Sequence, residues 1–305
     1  MATTLQVPQI VSARQPDKPA VPIDMDLSVG DHALHVHCEG NGGPLVMLAH
    51  GLGGSLEEWA IVQPLIAAST TVCAWDRAGE GRSEPDPGAP HSAEDASRDL
   101  EALLQAMHVD QPVVLVGFSV GGLLARHFAT TRPRAVAGLV LVDATSPVAT
   151  AMNLSGAAIE PRIDRLLFFS GLHPSANEHL DILKASEEVF MLGTPSVPTV
   201  VLSAGVKRVS AGIAGDQRAQ IATRLQVDQA RELDARLVVV PGCAHAMPVD
   251  CPNAVADAIE FAIDAVRRSA ERQLGHPDAL LVEPGRVRRM RRGKTTHQGC
   301  LTGSQ

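Results

Sequence analysis

The sequence predicts one α/β domain, a mostly parallel central sheet with helices on both faces and a small helical insertion. Three observations carry this. Runs dense in Val and Leu, such as Val113–Val116, Val136–Val142 and Leu237–Val240, lack polar alternation, as strands buried on both faces do. Segments with apolar residues at helical spacing alternate with these runs. Glycines cluster directly after strand patterns, at residues 51–54, 79–81 and 117–122. With 305 residues and 45% hydrophobic content the chain supports a sizeable core and an inserted subdomain.

Taken in order, residues 1–22 carry four prolines and little periodicity, the pattern of a flexible arm. Met25–Val29 and Ala33–Cys38 flank Gly30-Asp31 as a hairpin. His32, His35 and His37 on that hairpin read as solvent-facing polar residues rather than metal ligands, since no further ligand cluster accompanies them. Pro44–Ala49 is a buried strand ending in His50-Gly51-Leu52-Gly53-Gly54. Ser55, with Glu58 three residues on, predicts a capping box and a helix to about Ala68. Thr70–Trp75 is a strand running into Asp76-Arg77-Ala78-Gly79-Glu80-Gly81-Arg82-Ser83, where Asp76 and Arg77 are expected to pair. Ser92 opens a helix with Ala96, Leu100, Leu103, Leu104 and Met107 on one face.

The segment Gln111–Thr131 organises the rest. Its strand stops at Gly117-Phe118-Ser119-Val120-Gly121-Gly122, and Leu123, Leu124, His127 and Phe128 continue at helical spacing. A turn this sharp forces the serine into a strained backbone conformation, and a Cβ at Gly117 or Gly121 would collide with it. Ser119 Oγ is lifted above the sheet as a candidate nucleophile. The Val120 N–H falls at a helix N-terminus, where it can face developing negative charge. Val136–Val142 follows and ends at Asp143. From 147 to 198 the pattern shifts to helical pieces, around Ile159–Phe169 and Glu178–Phe190, separated by Gly171, Pro174 and Gly193. Thr199–Leu202 returns to the sheet. Ala214–Leu233 is helical, Leu237–Val240 is the last strand, and Pro241-Gly242-Cys243-Ala244-His245 leads into a closing helix over Asn253–Arg268.

With the His-Gly loop, the Asp-Arg-x-Gly-x-Gly-x-Ser loop and Gly-x-Ser-x-Gly standing in that order, the chain resembles the α/β-hydrolase fold superfamily over roughly Asp24–Arg268. The resemblance implies a core over 23–146 and 199–270 and a cap over 147–198. Met152, Leu166–Phe169, Phe190 and Met191 would there either line an acyl pocket or pack the cap itself. It implies His245 as general base, since Gly-x-x-His follows the final strand, and the Leu52 N–H as second oxyanion donor beside Val120. His50 is expected to brace its loop. The acid should lie between the serine and the histidine. Many relatives keep it after the strand ending near Leu202, but Ser203–Arg208 has no carboxylate. Asp143, at the carboxyl edge of the sheet, is the preferred acid, Asp216 the alternative, and Asp250 is expected to orient its own loop.

The expected chemistry is cofactor-free acyl transfer on a small carboxylic ester, lactone or related acyl compound, through an acyl-enzyme. Perhydrolase or haloperoxidase chemistry, C–C bond hydrolysis and a non-catalytic ligand-binding or signalling role use the same frame and stay open. Serine at the elbow argues against haloalkane dehalogenase and epoxide hydrolase chemistry. Net charge of -8 and 3% aromatics argue against a nucleic-acid partner. No apolar run approaches the ~20 residues needed to span a bilayer, and no secretory signal is visible. Five cysteines without C-x-x-C pairing read as free thiols in a reducing cytoplasm, with no metal site. Residues 271–305 form a tail, basic from Arg286 to Lys294 and without an acid beyond 286. Oligomeric state leaves no mark on the sequence.

Overall fold

The computed structural model describes residues 22–88, 91–148, 178–206 and 213–274. The expected N-terminal arm, most of the cap and nearly all of the basic tail lie outside the described residues. Eight strands form one sheet: β1 (Ile23–Ser28), β2 (Ala33–Glu39), β3 (Val46–Ala49), β4 (Val72–Trp75), β5 (Val113–Phe118), β6 (Val136–Val142), β7 (Thr199–Ala204) and β8 (Arg236–Val240). Their spatial order is β1-β2-β4-β3-β5-β6-β7-β8. β1 and β2 are antiparallel to their neighbours, and β4 through β8 run parallel, as the unalternated apolar runs require.

Successive residues of each central strand serve different layers. Met47, Leu115, Leu139, Leu141 and Val201 join one core. Val46, Leu48, Val116, Val140, Val142 and Leu202 join the other. The first is closed by α2 (Ala93–Ala106) and α3 (Val120–Thr131), through Leu100, Leu103 and Phe128. The second is closed by α1 (Val62–Ala67) and by the C-terminal helix, through Val62, Ile66, Ile259 and Ile263. A third cluster seats α4 (Ile182–Met191) on α3, with Ile182, Ala185 and Val189 against Val120, Leu123 and Leu124. α5 (Ile213–Glu232), a short turn α6 (Met247–Asp250) and α7 (Pro252–Leu274) are the last helices among the described residues, α7 running six residues past the expected end at Arg268. Among the described residues no helix is long and apolar enough to cross a membrane.

Several expectations change at this level. Ser92 forms a capping box, but with Asp95, so the prediction of a helix there holds. Ser55 does not form one with Glu58. It accepts from the Glu57 N–H and starts a 3₁₀ turn (Leu56–Trp59), because the Glu58 carboxylate is drawn to the Gly51 N–H instead. Two of the three hairpin histidines are buried rather than solvent-facing, and His37 is half-buried. His35 is 1% exposed, its ring nitrogens 2.6 Å from Asp26 and 2.7 Å from Asp24, and His32 is buried between Asp31 and Asp99. Of the apolar residues named for the cap, Phe190 and Met191 are exposed, whereas Met152 and Leu166–Phe169 lie outside the described residues.

The cysteine reading is overturned. Cys38 and Cys73 face each other in register across the antiparallel β2–β4 pair and form a disulfide, and Cys243 and Cys251 form a second. Neither pair has a motif in the sequence. Strand register creates the first and a turn of helix the second, so spacing along the chain carries no signal for them. Cys300 lies outside the described residues.

Candidate active site

The elbow is built by three glycines at backbone contact. A Cβ on Gly117 would stand 2.4 Å from the Gly121 carbonyl oxygen, and one on Gly121 would stand 2.3 Å from that of His50. At Gly122 it would meet the Ala144 Cβ at 2.3 Å. β5, α3, the His50 loop and the end of β6 therefore converge on one point as only glycine permits. Ser119, half-buried there, takes φ 53° and ψ −119°, outside the regions a residue with a side chain ordinarily occupies. Such strain costs on the order of 1–3 kcal/mol and persists only where the surroundings enforce it. The Ser119 N–H donates to Val142 O, and Ser119 O accepts from the Gly122 and Thr145 N–H groups, fixing the residue on every side but that of its hydroxyl.

Two distant segments bring their side chains to that hydroxyl. His245 follows β8, and its Nε2 lies 3.1 Å from Ser119 Oγ. Its Nδ1 lies 2.7 Å from Asp143 Oδ2. A carboxylate only accepts, so His245 Nδ1 carries the proton and Nε2 is left to accept from the serine. Asp143 directly follows β6 with φ 40° and is 6% exposed, its Oδ1 accepting the Ala204 N–H at 3.1 Å. The Phe118 ring lies 5.0 Å from the imidazole centroid of His245, whose side chain is 59% exposed. The Cys243–Cys251 disulfide closes the segment that carries His245. Ser119, His245 and Asp143 thus form one hydrogen-bonded chain. Asp216 falls in α5 and its side chain lies outside the described residues. Asp250 ends α6, its N–H donating to Ala246 O within the histidine's own segment.

The loop after β3 lies against the elbow. A Cβ on Gly51 would stand 3.2 Å from the Phe118 ring, and Leu52 packs against the cluster containing Val120. Among the described residues neither the Leu52 N–H nor the Val120 N–H has an acceptor. His50 is fully buried and braces the loop: its Nδ1–H donates to Gly51 O at 2.8 Å and its Nε2 accepts the Arg77 N–H at 3.1 Å. Arg77 does not pair with Asp76. It forms a bidentate pair with Glu178, while Asp76 accepts the Leu56 and Arg82 N–H groups. Motif adjacency suggested the former pairing, but neighbouring side chains on a turn diverge, and Glu178 arrives from 101 residues away.

Burial, with the Arg77 charge beside it, holds the His50 imidazole well below its ordinary range. Burial likewise pushes the Glu58 carboxyl up, against the Gly51 N–H, Arg77 and His245, which favour its charge. His50 stays neutral in the folded protein while the unfolded chain binds a proton below about pH 6.5, so stability should rise with pH up to that point. Urea unfolding of wild type and His50→Gln from pH 5 to 7.5 checks this. The variant should be the less stable at pH 7.5 yet lose less on acidification, by up to about 1.4 kcal/mol per pH unit below 6.5. Parallel pH dependences would refute it.

A sequence model of the alpha/beta hydrolase fold family matches residues 44–171. Among curated proteins the chain is similar to the putative carbamate hydrolase RutD of Pseudomonas savastanoi pv. phaseolicola, 33% identical over 115 residues, 38% of this chain and 44% of that one. It is similar to protein phosphatase methylesterase 1 of Bos taurus, 29% identical over 126 residues, 40% of this chain and 33% of that one. A 2-hydroxy-6-oxononadienedioate/2-hydroxy-6-oxononatrienedioate hydrolase of Cupriavidus pinatubonensis is 32% identical over 152 residues, 45% and 52% of the two chains. The chain spans about half the length, or less, of these curated relatives. Among solved structures, a putative lipase from Acinetobacter baumannii superposes with a TM-score of 0.57 at 18% identity, over 81% of this chain and 93% of that one. A thermophilic esterase from Thermogutta terrifontis gives 0.54 at 19% identity, over 81% and 99%. At these identities the structural likeness speaks for the fold alone.

Proposed function

We propose, on the premise that this chain has the α/β-hydrolase fold, that it is a serine hydrolase of small carboxylic esters, lactones or related acyl compounds. The observation that carries this reading is the continuous Ser119–His245–Asp143 hydrogen-bond chain beside two backbone N–H groups, of Leu52 and Val120, that have no acceptor among the described residues. Ser119 Oγ attacks the acyl carbonyl carbon as His245 Nε2 takes its proton. Asp143 holds the imidazole in the required tautomer and stabilises the imidazolium. The Leu52 and Val120 N–H groups receive the negative charge that develops on the carbonyl oxygen, each such donor contributing about 10²–10³ in rate. The tetrahedral adduct collapses to an acyl-serine, and His245 protonates the departing alcohol oxygen. Water, losing its proton to His245, then releases the carboxylic acid and restores Ser119. No cofactor enters this scheme.

Residues 147–198 act in this reading as a small cap that shapes the acyl pocket. The cytoplasmic placement expected from free thiols loses its basis with two cystines, which persist chiefly in oxidising compartments.

A fluorophosphonate probe tests the reading directly. Wild type should label rapidly and hydrolyse p-nitrophenyl acetate with saturation kinetics. Ser119→Ala should not label at all, and His245→Ala should label slowly. A folded wild type that neither labels nor turns over ester would overturn the hydrolase reading in favour of a ligand-binding role.

A further inference from the structure

One buried charge at the edge of the site has no part in the scheme above. The two peptide units His50–Gly51 and Gly51–Leu52 carry two carbonyls and two N–H groups between them. His50 O accepts from Arg77 Nη1 at 2.6 Å, and the Gly51 N–H donates to Glu58 Oε2 at 2.8 Å. Gly51 O accepts from Arg77 Nη2 at 2.9 Å and from His50 Nδ1–H at 2.8 Å, and more distantly from the Gly54 N–H at 3.4 Å. The Leu52 N–H is the group left over among the described residues. A trans peptide directs its C=O and N–H in opposite directions, so drawing Gly51 O onto the guanidinium turns the Leu52 N–H away from it. A charge-assisted bond at the carbonyl also polarises the whole peptide and makes its N–H a stronger donor.

Arg77 is itself held in place. Its Nε and Nη2 meet the two Glu178 carboxylate oxygens at 2.6 and 2.9 Å, and both side chains are more than nine-tenths buried. The Glu178 N–H donates to Glu80 Oε1, so the anchor is tied back to the loop that carries Arg77. All but one N–H of the guanidinium is thereby engaged, in a fork that a lysine ammonium has no geometry to reproduce.

We propose that Arg77 is a positioning residue, its guanidinium latched by Glu178 so as to orient and polarise the Gly51–Leu52 peptide as oxyanion donor. The assignment rests on the serine-hydrolase reading and adds to it a residue outside the Ser–His–Asp chain. A buried ion pair kept for stability alone predicts something different, because replacing both partners with apolar residues is then often neutral.

The test is Arg77→Met/Glu178→Leu, which removes both charges and leaves no lone buried ion, read on p-nitrophenyl acetate beside wild type. The expected result is a folded enzyme whose kcat falls on the order of 10–100-fold with KM within about threefold, since the peptide acts on the transition state. A folded double variant that keeps kcat within about threefold overturns the proposal and leaves the hydrolase reading intact. A wild type without labelling or turnover fails the hydrolase reading itself, and the proposal with it. Should the double variant not fold, Arg77→Lys and Glu178→Gln decide. Glu178→Gln keeps the guanidinium on both carbonyls and should hold kcat within about fivefold, whereas Arg77→Lys should lose about tenfold or more, again in kcat rather than KM. Equal kcat values in the two conservative variants would refute the assignment.

Discussion

Asparagine at position 143 should slow ester turnover by about 10⁴ in kcat, while Asp216→Asn stays within about twofold of wild type. Asp143 Oδ2 accepts from His245 Nδ1–H at 2.7 Å, and this leaves Nε2 unprotonated and facing Ser119 Oγ at 3.1 Å. An asparagine can turn its NH₂ toward the ring, which moves the imidazole proton to Nε2 and deprives the serine of its base. It also removes the charge that stabilises the imidazolium. Because Asp143 Oδ1 accepts the Ala204 N–H, the side chain is anchored and substitution should leave the fold intact. Fluorophosphonate labelling rates, thermal denaturation and kcat on one ester, measured for both variants, check this. A loss of 10³ or more in Asp216→Asn with Asp143→Asn unaffected would move the acid to α5.

The second large effect concerns a residue with no side chain. Gly121→Ala places a Cβ 2.3 Å from the His50 carbonyl oxygen and 2.6 Å from that of Ala49, both backbone atoms of the loop below the oxyanion donor. Neither contact can be relieved by a rotamer change, so α3 and that loop must separate. The expected cost is about 3 kcal/mol or more, seen as a drop of roughly 6–12 °C in Tm. Displacing Leu52 relative to Val120 should also lower kcat by 10² or more in whatever fraction stays folded. Gly193→Ala is the control: nothing lies within 4 Å of its added Cβ, and neither Tm nor kcat should change. Near-wild-type activity and Tm in Gly121→Ala would mean that the elbow tolerates an opening these distances do not allow.

What the sequence determined by itself was everything encoded at short range. The buried strands, the helix with Leu100, Leu103 and Leu104 on one face, the glycines of the elbow and the serine between them were all legible. Each follows from hydrophobic period or from the steric demand of a single turn, properties of a few adjacent residues. The serine and the histidine were found because each stands at a fixed place relative to a strand end.

What only the tertiary structure decided were pairings. Asp143 meets His245 across 102 residues, Arg77 meets Glu178 across 101, and Cys38 meets Cys73 through strand register. Local pattern carried no information on the last two, and for His245 it preferred Asp143 but left Asp216 open as the alternative. It even favoured wrong partners in Asp76 for Arg77, Ser55 for Glu58, and solvent for His32 and His35. Charged and polar groups leave water only for partners that replace their hydrogen bonds. Which partners those are depends on how strands and loops from distant parts of the chain come to lie side by side, and that is settled when the sheet assembles.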